Sequence, residues 1–336
     1  MDKRLRVLSA LNKKPVDHVP VGFWFHFSGE ALLGEACVQA HLNYYRETDL
    51  DFLKVMSDGY FPYPVNEPNY KAGPEMYRNP DIAAGELWKM DDINRDNPWI
   101  TEQVERAKRI VDEIGGERCV FYNVFSPFSS FKFATSDAAA MQFAREDKDA
   151  LKHALDIVAR GSALLGELLI TEAGCDGVYY CVQNAEFTRF TEEEYRDLIR
   201  PSDLYVLEHL NRFSDNNILH CCGFFGRQNR VSLWYDYPAK CVNWATHVEN
   251  IPLHEGRYLF GNKAVLGGFD THWEPGSVEG RRGILYHGTR EELQTYTREL
   301  ILNTGKLGLL LGGDCTIDGR IDIERVKWIV EAARTL

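Results

Sequence analysis

The 336-residue chain is predicted to be an α/β protein, a single-domain (β/α)8 TIM barrel over residues 1–336. Eight short runs of apolar, β-branched and aromatic residues recur along it, and stretches with helical periodicity separate them. Alternation of strand and helix favours parallel strands with helical crossovers, and eight such strands favour a closed barrel over an open sheet. No internal repeat or low-complexity tract divides the sequence.

The predicted elements follow one another in regular order. A short helix at 4–11 precedes the barrel. Strands are predicted at 18–25, 51–57, 119–125, 177–183, 218–222, 241–246, 264–269 and 308–312. The clearest amphipathic helices are predicted at 98–113, 150–172, 191–213, 291–303 and 322–334.

Local signals mark several helix boundaries. Asn97 before Pro98 combines a capping side chain with a first-turn proline. Thr191 and the three glutamates after it supply another cap with acidic residues in the first turn. Pro201 lies inside the 191–213 pattern, so we expect it to kink or divide that helix.

A long proline-rich loop, 61–90, follows the second predicted strand. Long loops in compact domains are usually functional or disordered. In a barrel this loop would lie at the C-terminal mouth of the strands, where active sites are built.

The composition excludes several classes of function. The net charge is −12 and the pI is about 5.4, which disfavours a nucleic acid as partner. From its charged first residues we expect no signal peptide, and no run approaches the roughly 20 apolar residues of a membrane span. Eight scattered cysteines do not form a disulfide framework. We therefore expect a soluble, cytoplasmic protein.

Two predicted strands end in metal-ligand residues. His220 and Cys222 end the fifth strand, and Cys315 follows the eighth. Because side chains alternate along a strand, His220 and Cys222 face the same way and Cys221 faces the opposite way. Three such ligands are typical of a zinc site that keeps one position open for chemistry. The alternative is three buried structural residues, since free Cys is among the most buried residue types.

Polar side chains also follow the other predicted strands. Asp58 follows the second, Ser126 the third, His247 the sixth and Asp270 the seventh, while Gln183 ends the fourth. The C-terminal ends of barrel strands meet at one mouth. The candidate zinc ligands therefore belong to a larger polar group at that mouth.

On these residues the chain resembles the uroporphyrinogen decarboxylase superfamily along nearly its whole length. The matching segments include Lys14-Pro15-Val16-Asp17-His18-Val19-Pro20, 51–58, Phe125-Ser126-Pro127, Ala173-Gly174-Cys175-Asp176-Gly177 and Gly267-Gly268-Phe269-Asp270. Within it, the chain is most similar to the zinc-dependent, corrinoid-linked methyltransferases, such as methylcobalamin:coenzyme M methyltransferase. That branch carries His-x-Cys at one strand end and a Cys near the C-terminus, here His220, Cys222 and Cys315.

The decarboxylase branch fits less well. Its members carry Arg-Gln-Ala-Gly-Arg after the first strand, which gathers the substrate's carboxylates. This chain has His26-Phe27-Ser28-Gly29-Glu30 there, so a polycarboxylate porphyrinogen would lose its cationic partners. Asp58 does match the pyrrole-binding aspartate, but one aspartate does not replace the arginines.

The resemblance implies a zinc ion and a corrinoid such as methylcobalamin. The open zinc position would hold a substrate thiol as its thiolate, or zinc would act as a Lewis acid on a methoxy oxygen in O-demethylation. Both directions of methyl transfer stay open. The chain has no Asp-x-His-x-x-Gly motif, so we expect a separate corrinoid carrier protein as partner. A homodimer is possible for this family.

Two other functions stay open beside the methyltransferase. One is a cofactor-independent decarboxylase of the uroporphyrinogen type. The other is a zinc-binding or corrinoid-binding protein without catalytic activity.

Secondary roles at the mouth are assigned to three polar residues. Asp58, Gln183 and His247 are candidate catalytic residues that orient or protonate the substrate, or hydrogen-bond the zinc ligands. Helix capping is an alternative role for Asp58, and a lone histidine such as His247 is more often structural.

Candidate substrate-binding residues are Phe25, Tyr60, Tyr180 and Asp270. With Phe61, the aromatic residues would line a pocket for an aromatic methoxy compound, or they belong to the core. Asp270 would hydrogen-bond a ligand or cap the following segment. Cys175, Cys181 and Cys221 are assigned to packing.

Overall fold

Parallel strands paired in chain order form one curled sheet in this computed structural model, which describes residues 1–66, 70–223, 226–273 and 283–336. Within those residues the strands are β1 Phe52–Val55, β2 Cys119–Phe125, β3 Gly177–Val182, β4 Ile218–Cys221, β5 Cys241–Trp244, β6 Ala264–Phe269 and β7 Leu309–Gly313. The predicted α/β barrel is confirmed, and seven of the eight predicted strands are present.

The first predicted strand, 18–25, is wrong as a regular strand. Val21 forms only an isolated parallel bridge with Leu311 of β7, and its carbonyl accepts a hydrogen bond from the Asp51 N–H at 2.9 Å. Pro20 has no N–H to donate, and the Val21 N–H is bound to the Asp51 carboxylate at 2.8 Å. A ladder to β1 therefore cannot extend, although the segment lies between β7 and β1 and closes the barrel.

Helices cover the outer face of the sheet. In order they are α1 Lys3–Leu11, α2 Gly34–Thr48, α3 Ala84–Leu87, α4 Pro98–Ile114, α5 Pro127–Ala134, α6 Asp137–Glu146, α7 Lys148–Thr171, α8 Glu192–Glu194, α9 Arg200–Leu210, α10 Thr246–Glu249, α11 Leu253–Leu259, α12 Ile284–His287, α13 Arg290–Thr304 and α14 Ile323–Ala333. Short 3-10 turns lie at Gly29–Leu32 and Val231–Trp234. None of the helices in the described ranges is long and apolar enough to cross a membrane.

The predicted helix boundaries follow the local signals. Asn97 Oδ1 accepts the Trp99 N–H at 2.9 Å and starts α4, as expected. Thr191 and Glu194 form a reciprocal capping box at α8. The predicted helix 191–213 is divided: a π-helical turn, Tyr195–Ile199, separates α8 from α9, and Pro201 lies in the first turn of α9.

The inner face of the barrel has its own hydrophobic cluster. It contains Phe52 of β1, Phe121 of β2 and Tyr179 of β3, together with the first residues of later strands. Val7, Ala10 and Leu11 of α1 belong to the same cluster. Helix α1 thus closes the N-terminal end of the barrel, and the C-terminal end is left for a site.

The proline-rich segment 61–90 is irregular except for α3. Its residues 67–69 lie outside the described part of the chain. Phe61, Met76 and Tyr77 of this segment line a cavity at the C-terminal mouth, which is where the loop was expected to contribute.

Candidate metal centre

His220, Cys222 and Cys315 come together inside the C-terminal mouth. His220 is on β4, Cys222 is the first residue after that strand, and Cys315 lies two residues after β7. Their ligand atoms all lie within 4.8 Å of one another. The two Sγ atoms are 3.9 Å apart, and Cys315 Sγ is 3.5 Å from His220 Nε2. Cys221, by contrast, packs into the outer hydrophobic core, as strand alternation predicts.

These distances suit a tetrahedral zinc ion. Bonds of about 2.3 Å to sulfur and about 2.0 Å to nitrogen place two sulfurs about 3.8 Å apart, and sulfur and nitrogen about 3.5 Å apart. Within the described ranges the group holds three His, Cys, Asp or Glu side chains. The donor set therefore fits a zinc ion with one position left for another ligand.

Asn243 of β5 determines which nitrogen of His220 faces the cysteines. Its Nδ2 donates to the carbonyls of Leu266 and Gly313 at 2.9 and 3.1 Å. Oδ1 is therefore the acceptor, and it receives the His220 Nδ1–H at 2.5 Å and the Tyr179 hydroxyl at 2.7 Å. With the proton on Nδ1, the lone pair of Nε2 points to the sulfurs, as a metal ligand requires.

Cys315 holds its proton when no cation is present. The hydrogen bond with Cys222, together with burial, raises the pKa of the Cys315 thiol well above its ordinary value. A divalent cation stabilises the thiolate form, so its binding releases protons.

A cavity of about 610 Å³ opens from this cluster to the mouth. One wall is aromatic: the rings of Phe61, Phe125 and Phe133 lie with centroids 4.8 to 5.5 Å apart. The rim is charged, and Arg189 donates to Asp137 at 2.6 Å there. The cavity combines an apolar surface for a small substrate with charged groups at its entrance.

Two of the predicted catalytic residues lie at or beside this cavity. Gln183 lines it, and its Oε1 accepts the Ser129 hydroxyl at 3.2 Å. Asp58 lies behind it, since one carboxylate oxygen is 2.7 Å from His26 Nδ1 and the other accepts the Phe27 N–H at 2.8 Å. His26 is the residue of this pair that lines the cavity.

The structure places His247 and Asp270 outside the cavity lining. His247 Nδ1 is 2.8 Å from Asp314 Oδ2, and Asp314 Oδ1 accepts the Gly268 N–H at 2.9 Å. This contact holds the chain directly before Cys315. Asp270 binds the backbone and ring of His272.

The predicted aromatic residues Phe25, Tyr60 and Tyr180 also lie outside the lining. Tyr180 faces the outer layer and donates to the Asp203 carbonyl at 3.2 Å, because Tyr179 takes the inward position of β3. Phe25 packs on the rings of Phe27 and Tyr44, and Tyr60 donates to Glu102 at 2.9 Å. Phe61 is the aromatic residue of the predicted set that reaches the cavity.

Three functional candidates were missed in the sequence: His26, Lys54 and Asn243. Lys54 and Asn243 lie on the inward face of apolar strand runs, and Cys181, expected to serve packing, also lines the cavity. A lysine or asparagine inside a buried parallel strand is itself a signal, since such residues rarely lie there without a partner.

Comparisons with known proteins agree with this architecture. The family model of uroporphyrinogen decarboxylase (URO-D) matches residues 2–336. A methyltransferase from Methanosarcina mazei superposes with a TM-score of 0.72 at 18% identity, covering 100% of this chain and 98% of that one. A B12-independent methionine synthase from Shewanella sp. W3-18-1, in complex with selenomethionine, gives 0.55 at 13% identity, covering 96% and 94%. At these identities the two structures show a shared fold. No curated protein matches the chain in sequence.

Proposed function

The chain belongs to the uroporphyrinogen decarboxylase family, and from this premise we propose that it is a zinc-dependent methyltransferase acting between a corrinoid and a small substrate. The cluster of His220, Cys222 and Cys315 carries the proposal, with ligand atoms at the spacing of a tetrahedral zinc site. Zinc bound there supplies Lewis-acid chemistry, which keeps a substrate thiol ionised or polarises a methoxy oxygen.

Methyl transfer would balance in either direction. With a thiol as acceptor, the corrinoid would supply the methyl group and keep the electron pair of the broken cobalt–carbon bond, while the thiolate sulfur would form the new bond to carbon. With a methoxy compound as donor, the reduced corrinoid would accept the methyl group, the carbon–oxygen bond would break, and the departing alkoxide would take a proton. The corrinoid would reach the mouth on a separate carrier protein.

Proton transfer in the cavity is assigned to the His26–Asp58 pair. Asp58 binds His26 Nδ1, so Nε2 is the nitrogen left for the substrate. It would take the thiol proton or give one to the departing alkoxide. Asp58 thus acts by orienting His26, and Gln183, directly after β3, would hydrogen-bond the substrate.

Zinc content and methyl transfer together test this proposal. We expect about one zinc per chain in the wild type, a marked loss in Cys315→Ala, and no loss in Cys221→Ala, which removes the neighbouring cysteine on the outer face. The zinc-loaded protein should change the spectrum of free cobalamin when a methyl donor or thiol is added.

Two outcomes would contradict it. One is a folded wild type that binds no zinc. The other is turnover of uroporphyrinogen without added metal, which would support the decarboxylase instead. Tight zinc or corrinoid binding without methyl transfer to any acceptor would indicate a binding protein.

A further inference from the structure

Lys54 is a lysine buried inside the barrel. It lies on the inward face of β1, its exposed fraction is 4%, and it lines the same cavity as the metal cluster. Its Nζ lies 3.8 Å from the ring centroid of Tyr179 and 4.9 Å from that of Trp24. The Tyr179 ring is in turn 5.3 Å from the ring of His220. A single aromatic ring therefore separates the ammonium group from a metal-ligand side chain.

In the part of the chain that the structure describes, no carboxylate pairs with Lys54. Among the described residues its Nζ takes part in no salt bridge and donates no hydrogen bond to the protein; its contacts are the two aromatic faces. A buried ammonium without a counter-charge is costly, so such groups are usually paired. An anion in the cavity would supply the missing partner.

The charges that act on Lys54 belong to the cavity. Burial lowers the pKa of Lys54, and negative charge on sulfur in the cavity would raise it. Asp58 already binds His26 and Phe27. A thiolate held in the cavity by a cation would therefore favour the ammonium form of Lys54.

We propose that Lys54 stabilises negative charge at the open position beside His220, Cys222 and Cys315, so that the site selects an anionic sulfur over a neutral ether oxygen. Two thiolates neutralise a divalent zinc ion, so a third thiolate adds one uncompensated negative charge, which the ammonium offsets. A methoxy oxygen brings no charge and leaves Lys54 unpaired. This inference rests on the proposed function and identifies its substrate class as small thiols that accept the methyl group.

Lys132 provides a matched control. It is a second buried lysine of the cavity wall, but its Nζ donates to Asn184 Oδ1 at 3.0 Å. Burial and the nearby Arg189 lower the pKa of Lys132, while the carboxylates of Asp137 and Glu186 raise it. Unlike Lys54, this ammonium group therefore has a hydrogen-bond acceptor and nearby carboxylates within the protein.

Thiol binding to the cobalt(II)-substituted protein tests the role of Lys54. Thiolate coordination to cobalt is visible as charge-transfer absorption, and 2-mercaptoethanol and neutral imidazole serve as probes. In Lys54→Met we expect the affinity for 2-mercaptoethanol at pH 7 to fall by about tenfold or more, with imidazole binding unchanged. Lys54→Gln should behave in the same way, and Lys132→Met should lose much less thiol affinity.

The outcomes separate the two proposals. A wild type that takes up neither zinc nor cobalt overturns the proposed function, and this inference with it. Normal metal uptake with equal thiol affinity in Lys54→Met and the wild type overturns the role of Lys54 alone. Equal weakening of the thiol and imidazole also overturns it, because that pattern indicates a general disturbance of the centre.

Discussion

Four imidazoles near the barrel mouth are each held at Nδ1 by an oxygen of another side chain. The pairs are His220–Asn243 at 2.5 Å, His26–Asp58 at 2.7 Å, and His247–Asp314 and His272–Asp270 at 2.8 Å. Holding Nδ1 fixes the ring and leaves Nε2 for another partner. In His220 that partner is the metal position, and in His26 it is the cavity.

Asn243→Ala should weaken zinc binding by about 10- to 100-fold, because His220 loses the acceptor that holds its Nδ1 proton. Competition with a chromophoric chelator measures this. Tyr179→Phe removes the other donor to Asn243 Oδ1 but keeps the ring beside His220 and the His220–Asn243 hydrogen bond, so it should cost less affinity. Unchanged zinc affinity in Asn243→Ala would show that the amide does not control the ligand.

Asp203 is a fully buried carboxyl group of α9 that should make stability depend on pH. Burial raises its pKa to about 7, although Tyr195 and Tyr237 donate to its Oδ2 at 3.2 and 3.0 Å. The folded-state pKa lies above the unfolded value of about 3.9. The contribution of Asp203 to the free energy of unfolding is therefore fully present below pH 4 and is lost as the pH rises through about 7.

We expect the free energy of unfolding to fall between pH 5 and pH 8, by up to about 3 kcal/mol from this group. Asp203→Asn should flatten that pH dependence. Asp215→Asn, which removes an exposed carboxyl group, should leave the pH dependence unchanged. Urea unfolding at the two pH values measures the difference. If the unfolding free energy of Asp203→Asn still falls with pH, the pH dependence comes from other groups.

At the scale of elements, the segment 18–25 that closes the barrel (the closing segment) depends most on tertiary contacts. Asp51 joins three parts of the chain: its carboxylate accepts from Arg6 of α1 at 2.6 Å and from the Val21 N–H at 2.8 Å, and it directly precedes β1. Gly22 lets the backbone of the closing segment lie against the Phe52 ring of β1, since a Cβ there would lie 2.2 Å from that ring. The barrel is thus closed by packing and a carboxylate rather than by a strand ladder.

Gly22→Ala should destabilise the protein by about 1–3 kcal/mol, because the added methyl group collides with Phe52. Gly85→Ala in the first turn of α3 is the control, since a Cβ there meets no atom within 4 Å. Chemical unfolding of both variants gives the comparison. Equal stability of the two would mean that β1 moves freely away from the closing segment.

Across the molecule, the candidate metal centre brings together strands that are distant in the sequence. His220 lies on β4 and Cys222 follows that strand, whereas Cys315 follows β7, which is the strand beside the closing segment. A metal ion bound to both sides stabilises the native state by mass action, since the unfolded chain has no preformed site.

Removal of zinc by a chelator should therefore lower the Tm, by roughly 5 °C or more at saturating metal. Differential scanning calorimetry with and without 1,10-phenanthroline measures the shift. Cys315→Ser should unfold at the same temperature under both conditions. A wild-type Tm that does not respond to the chelator would argue against a bound structural or catalytic metal.

Local periodicity was sufficient to predict the barrel, seven of its strands and the convergence of His220, Cys222 and Cys315. Strand alternation places His220 and Cys222 on one face, and parallel strands bring their C-terminal ends to one mouth. Both properties can be read from spacing along the chain, so no knowledge of contacts was needed.

Contacts between distant residues decided the rest. A shift of one residue moves a strand side chain to the other face, so Tyr179 rather than Tyr180 points inward. The roles of Asn243 and Lys54 depend on neighbours from other strands, and the ladder at 18–25 is prevented by Asp51, about 30 residues away in the chain. Side-chain hydrogen bonds and buried charges are properties of the packed barrel, because they exist only where separate strands meet.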